Sequence, residues 1–170
     1  MGERPAEDLR SQIAEAIEHL DGWELETVAR LARRMDAQIG YGNPSFVLGF
    51  PRFRNEGDLV KGEFEVGEIH LNPHRIAHGL VAYGLLDNAM GHAVATFGGE
   101  IRLCVTLEIK VQYARALHPG PIAVEARCLH RGRTVGLAEG RVTDSDGRLA
   151  VFASGTYHLT EGRLGDRGDR

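Results

Sequence analysis

A single carboxylate, Asp87, stands inside the otherwise apolar run from Ala77 to Phe97, AHGLVAYGLLDNAMGHAVATF. Among Leu85, Leu86, Ala89, Met90, Ala93 and Val94, its charge is costly to desolvate unless it is hydrogen-bonded, paired or used. A carboxylate kept in such a place can serve as a general base or a nucleophile; alternatively, Asp87 and Asn88 lie on a narrow solvated strip of a partly exposed helix. Just upstream, Asn72-Pro73-His74-Arg75-Ile76-Ala77-His78-Gly79 reads as a turn leading into the same run. Gly79 brings a backbone N–H to the helix start, where unpaired amides and the helix dipole favour negative charge, and its missing side chain admits a close approach. A base or nucleophile together with a donor for a developing oxyanion are the parts that attack on a carbonyl requires.

The elements that must hold these groups follow from periodicity. Leu9, Ile13, Ile17 and Leu20 predict a first helix, Asp21-Gly22 a break, and Trp23, Val28, Leu31, Met35 and Ile39 a second helix stopping near Gly40 and Gly42. From Ser45 to Leu71 the pattern predicts a hairpin: SFVLGFPRF, a polar turn over Arg54-Asn55-Glu56-Gly57-Asp58, then LVKGEFEVGEIHL. The Ala77 to Phe97 helix is apolar around most of its circumference, as expected of a helix wrapped by a sheet, and Gly98-Gly99 bounds it. Val105, Leu107, Ile109, Val111 and Tyr113 then alternate with Thr106, Glu108, Lys110 and Gln112, predicting a strand with those two faces. Pro119-Gly120-Pro121, Arg131-Gly132-Arg133 and Asp144-Ser145-Asp146-Gly147 separate three more strands. The expectation is an α+β domain over 43–160, a long helix wrapped by a curved antiparallel sheet, with a helical extension over 1–42 and a frayed tail over 161–170.

Composition narrows the partners. The 170 residues are 42% hydrophobic and 26% charged with a formal charge of −4, and acidic and basic residues are interspersed, so the basic surface of a nucleic-acid binder is missing. The start, MGERPAEDLR, lacks the pattern of a secretion signal, and the two greasy stretches carry His, Asp or Arg; the expectation is a cytoplasmic protein with no membrane partner. Cys104 and Cys128 stand far apart with no CxxC, as reduced core thiols do. The remaining histidines show no HExxH or paired ligand spacing, so no bound metal is expected.

Asn72, then His78-Gly79, then Asp87, in this order and spacing, resemble the motif of hotdog-fold acyl-CoA thioesterases of the PaaI-like group. That motif is an Asn, often Asn-Pro, a His-Gly at a helix start, and an acidic residue one or two turns further in. GLLDNAMG resembles the family's helix and CVTLEIKVQYARAL its following strand; the likeness covers about 43–159. Two departures stand out. The family usually has His-Gly-Gly where this chain has His78-Gly79-Leu80, which bears on how an acyl group or pantetheine fits beside Leu80, and a Gly is common where Arg75 stands. The resemblance implies a hotdog fold and hydrolysis of an acyl-CoA to free acid and coenzyme A, which belongs to the substrate, so no separate cofactor is implied. It further implies dimers, often paired into homotetramers.

Roles follow residue by residue. Asp87 acts as base or nucleophile, and the Gly79 N–H polarises the carbonyl. Asn72 holds water or the carbonyl, or forms a plain Asx turn before Pro73; His78 orders the turn or caps the helix. Thr106 falls where the family often has a Ser or Thr near the acid, and orients Asp87 or water or is an ordinary strand residue. Arg131 and Arg133 resemble the family's turn that meets coenzyme A phosphates, with a solvated turn as the alternative.

Gly79 and Asp87 are eight residues apart on one helix, so about 12 Å separates them along its axis. Both cannot touch one carbonyl carbon; if both react, each site combines Gly79 of one subunit with Asp87 of another, which requires at least a two-fold dimer. Two other readings compete. IAHGLVAYGLL also resembles MaoC-like hotdog hydratases, which place an Asp two residues before their Asn-Pro, where this chain has His70. A non-catalytic acyl-CoA-binding hotdog protein is the third, since fold alone does not give activity.

Overall fold

The computed structural model describes residues 6–36 and 48–160. The chain divides into two compact units, Met1–Val47 and Leu48–Arg170. In the first, α1 (Ala6–Ile17) and α2 (Gly22–Asp36) are interrupted where Asp21-Gly22 predicts it, with Gly22 at φ 43°. The Asp21 carbonyl accepts from the N–H groups of Glu24 and Leu25 to start α2. The helix stop at Gly40 and Gly42, the residues Asn43 to Val47 and the tail 161–170 lie outside the described residues.

The second unit is one six-stranded antiparallel sheet around a long helix, the hotdog arrangement. Its strands are β1 (Arg54–Glu56), β2 (Leu59–Val66), β3 (Cys104–Tyr113), β4 (Gly120–Arg131), β5 (Val135–Thr143) and β6 (Leu149–Leu159), in the order β1-β2-β4-β5-β6-β3. The helix α3 (Gly79–Thr96) sits between β2 and β3 in the chain. Its Leu85, Leu86, Ala89, Met90 and Val94 are fully buried against Val124, Val142, Val151 and Tyr157 of the sheet. That contact supplies the main apolar burial of the unit, and the helix closes on the sheet over most of its circumference, as its composition predicts. Among the described residues, no helix is long and apolar enough to cross a membrane.

Three expectations are corrected. The segment from Leu48 to Phe53 is not a strand: Gly49 at φ 76° and Pro51 break the extended run. Phe50 instead plugs the core against Gly84 and Phe64, its ring 5.6 Å from the Phe64 ring and edge-on to it. The first strand is therefore only Arg54–Glu56, and the turn shrinks to Gly57-Asp58, with Gly57 at φ 61°. Secondly, β2 ends at Val66, and Glu68–His70 forms a single 3-10 turn. The turn is held by His70, which is 2% exposed: its Nδ1 accepts from the Gly67 N–H at 2.9 Å and its Nε2 lies 3.0 Å from the Leu48 carbonyl.

The third correction concerns β3. Thr106 pairs with Tyr157, but Glu108 pairs with Thr156, so Leu107 is an extra residue, a β-bulge. The two-residue alternation therefore changes phase at that point. Thr106 shares the helix-facing side with Ile109, Val111 and Tyr113, whereas Val105 and Leu107 stay 53% and 59% exposed.

Candidate active site

The turn before α3 is built by Asn72. Its Oδ1 accepts from the His74 N–H at 2.9 Å and its carbonyl from the Arg75 N–H, an Asx turn that brings the chain round to Ala77, whose N–H donates to the Leu117 carbonyl. Arg75 adopts φ 62°, the left-handed region in which glycine is at ease, and this explains the turn's preference for Gly at that point. Arg75 offsets the strain with a bidentate pair to Glu68 at 2.6 and 2.7 Å, which holds the Glu68 carboxyl below its usual range.

His78 is the N-cap of α3. Its Nδ1 accepts from the Leu80 N–H at 3.1 Å, and its carbonyl accepts from the Val81 N–H. The structure thus gives His78 the turn-ordering role. The Gly79 N–H has no hydrogen-bond partner among the described residues, while the Gly79 carbonyl accepts from the Tyr113 hydroxyl at 2.8 Å. Gly79, with this free N–H at a helix N-terminus, lines a cavity of about 380 Å³ together with Asn72, His78, Ala82, Tyr113, Leu117 and Val151. Leu80, one residue on, is 55% exposed.

Asp87 lies on the one open strip of α3, half-exposed with Asn88, Gly91, His92 and Ala95, while Leu85, Leu86, Ala89 and Met90 around it are buried. The solvated-strip description is therefore correct for this single chain. The carboxylate is nonetheless held: the Thr106 hydroxyl donates to its Oδ1 at 2.7 Å. Its second oxygen has no partner among the described residues. The backbone beneath is fixed by the Tyr157 hydroxyl, which donates to the Asp87 carbonyl at 3.3 Å. Burial, and then the nearby Asp87 charge, push the Tyr157 phenol and the Cys104 thiol upward, so both stay protonated. Asp87, Thr106, Cys104, Tyr157 and His92 line a separate cavity of about 340 Å³; burial lowers the His92 imidazole below its ordinary value and keeps it neutral.

Within one chain, then, the residues fall into two groups. Asn72, His78 and Gly79 share one cavity, Asp87 and Thr106 another, on the same helix. Arg131 and Arg133 join neither. The Arg131 guanidinium is turned inward, its side chain 8% exposed, donating to the carbonyls of Val94, Ala95 and Glu100 and stacking 5.8 Å from the Phe97 ring centre. It caps the C-terminal end of α3, where a cation is favoured by the helix dipole, so it has no free face for a phosphate. Arg133 is exposed, and only its carbonyl is engaged, by Arg102 at 2.8 Å. Two tyrosines, Tyr113 and Tyr157, carry contacts to the site that sequence reasoning missed; both stand in apolar alternation patterns that conceal a hydroxyl's role.

The fold is the hotdog arrangement, and residues 74–151 match the family model of the thioesterase superfamily. The fold is similar to that of the PaaI protein of the phenylacetic acid degradation operon of E. coli, which superposes with a TM-score of 0.64 over 79% of this chain and 96% of that one, at 18% identity. A protein of Streptococcus mutans, solved bound to acetyl CoA, is 27% identical with a TM-score of 0.61 over 68% of this chain and 94% of its own. A proposed esterase of Saccharolobus solfataricus is 29% identical over 84 residues, 49% of this chain; the match spans 59% of that relative's length.

Proposed function

We propose that the protein is an acyl-CoA thioesterase whose active sites lie across a homodimer. The observation that carries the reading is the division of Gly79 and Asp87 between two cavities about 12 Å apart on one helix, each group incomplete by itself. One subunit presents the Gly79 N–H to the thioester oxygen; the other presents Asp87, oriented by Thr106, to a water or to the carbonyl carbon itself. In the water route Asp87 Oδ2 takes a proton as the hydroxyl adds to the carbonyl carbon. The resulting oxyanion is held at Gly79, and its collapse breaks the C–S bond, the coenzyme A thiolate taking the proton that Asp87 accepted from the water, which returns Asp87 to its carboxylate form. Asn72, whose Oδ1 is committed to the turn, keeps its amide N–H groups for the water or the acyl oxygen. Coenzyme A as the carrier is supported by the S. mutans neighbour's bound acetyl CoA. The dimer is supported by β3, which among the described residues pairs with β6 alone and has its other edge unpaired, beside exposed Val105 and Leu107. A pair of such dimers in a tetramer extends the same reading.

The hydratase reading loses ground because His70, at the position of the hydratase acid, is buried and committed to Gly67 and Leu48. Thiol release from a panel of acyl-CoAs separates the readings, since hydration frees no thiol and simple binding turns nothing over. The expected result is coenzyme A release by the native chain and at least about a hundredfold loss in Asp87→Ala with an unchanged circular dichroism spectrum. Full activity in that variant would overturn the mechanism.

A further inference from the structure

The strand that orients Asp87 at one end also touches Gly79 at the other. Thr106 donates to the Asp87 carboxylate, and Tyr113, seven positions on, donates to the Gly79 carbonyl. In a regular strand an odd separation would point the two side chains to opposite faces. The bulge at Leu107 adds the residue that brings both to the helix side.

The contacts around Gly79 show what this does. A glycine is the least constrained residue in the chain, and here it carries the one amide that the proposed reaction uses. Its preceding peptide unit is held at the carbonyl of His78, by the Val81 N–H at 2.9 Å. Its following unit is held twice: the Leu80 N–H donates to His78 Nδ1 at 3.1 Å, and the Gly79 carbonyl accepts from Tyr113 at 2.8 Å. Both peptide planes are thereby fixed, and the group left without a partner among the described residues is the N–H of Gly79, a residue that lines the cavity. The Tyr113 ring also closes the space over the α-carbon: a methyl built there would lie 3.3 Å from the hydroxyl oxygen. We infer that Tyr113 is a positioning residue, which locks the Gly79 peptide planes so that the N–H is preset toward the thioester oxygen. Through β3, each chain thus orients the base of one site with Thr106 and the oxyanion donor of the other with Tyr113. The inference rests on the reading of Gly79 as that donor.

Tyr113→Phe removes the hydroxyl and keeps the ring. With acetyl-CoA as the substrate, kcat falls about tenfold while KM stays within about twofold, because a preset donor acts on the transition state more than on binding. A structural role alone would not move the second readout, the infrared carbonyl band of carbonyl-13C acetyl-CoA bound to slowly turning Asp87→Asn protein. Polarisation by Gly79 lowers that band from its position in free acetyl-CoA, and adding Tyr113→Phe returns it part of the way. An unchanged band in the double variant, whatever happens to kcat, overturns the role of Tyr113. A band in Asp87→Asn that coincides with free acetyl-CoA overturns the donor reading of Gly79 instead, so the two failures are distinguishable.

Discussion

Joining an Asp87→Ala chain to a Gly79→Pro chain in one dimer should return activity that neither variant has alone. Proline suits this test because Gly79 is the first residue of α3, where a missing N–H is tolerated, and His78 at φ −59°, ψ 138° already has the extended conformation that precedes proline. The substitution deletes the donor and keeps the helix once the Tyr113 ring, whose hydroxyl would lie 3.3 Å from the new Cβ, shifts slightly to admit it. Loss of an oxyanion donor costs about a hundredfold to a thousandfold, and loss of the base about a hundredfold or more, so each parent is close to inactive. In the mixed dimer one site takes Gly79 from the Asp87→Ala chain and Asp87 from the Gly79→Pro chain and is whole; the other lacks both. Two-fold symmetry then sets the purified heterodimer at about half the native rate per dimer, and an unfractionated equal mixture at about a quarter. Co-expression with two different affinity tags, sequential purification and a thiol-release assay measure this directly. A heterodimer no more active than its parents would refute the reasoning, because it would mean that both groups act within one chain despite their separation along the helix.

Thr106→Val keeps the shape of the side chain and removes the 2.7 Å hydrogen bond to Asp87; kcat should fall about tenfold with the melting temperature nearly unchanged, and unaltered kcat would deny Thr106 its orienting role. Arg131→Met strips three backbone carbonyls of a buried donor and should lower stability by about 2–3 kcal/mol in urea unfolding with KM for acyl-CoA unchanged; a raised KM at unchanged stability would return Arg131 to phosphate binding. Glu68 has its native pKa depressed by Arg75, so its contribution to stability is present above the ordinary value of 4.5 and is lost as pH falls through the native value. Glu68→Gln should therefore flatten the acid side of the stability profile, read by thermal melts across pH, and an identical profile would remove this pair from the account.

How much of the fold and site the residues disclose by themselves follows from the range of each interaction. The long helix, its interrupting carboxylate and the turns at Asp144–Gly147 and Arg131–Arg133 are local patterns, and the structure has them where periodicity and turn chemistry put them. The bulge was hidden because Val105 and Leu107 continue an apolar alternation that ends on the wrong face. A single inserted residue leaves no trace in a pattern whose apolar positions remain apolar, and so the shared facing of Thr106 and Tyr113 was hidden with it. Arg131 misled for a different reason: its partners Val94, Ala95 and Glu100 lie more than thirty positions earlier, and only the closed sheet brings them together. Phe50 deceived in the same way, an aromatic in a strand-like run that serves as a plug for the helix.

On the proposed two-fold reading, the outer edge of β3, unpaired among the described residues, has a consequence for dosage. A chain that finishes its reacting centre only by meeting a copy of itself makes function second order in its own abundance at low concentration. Below the dissociation constant of the pair, halving the amount of protein cuts the rate about fourfold; above it, the same halving costs only about twofold. On that proposal freshly made chains stay silent until enough of them accumulate, and the threshold for activity is set by a stretch of backbone.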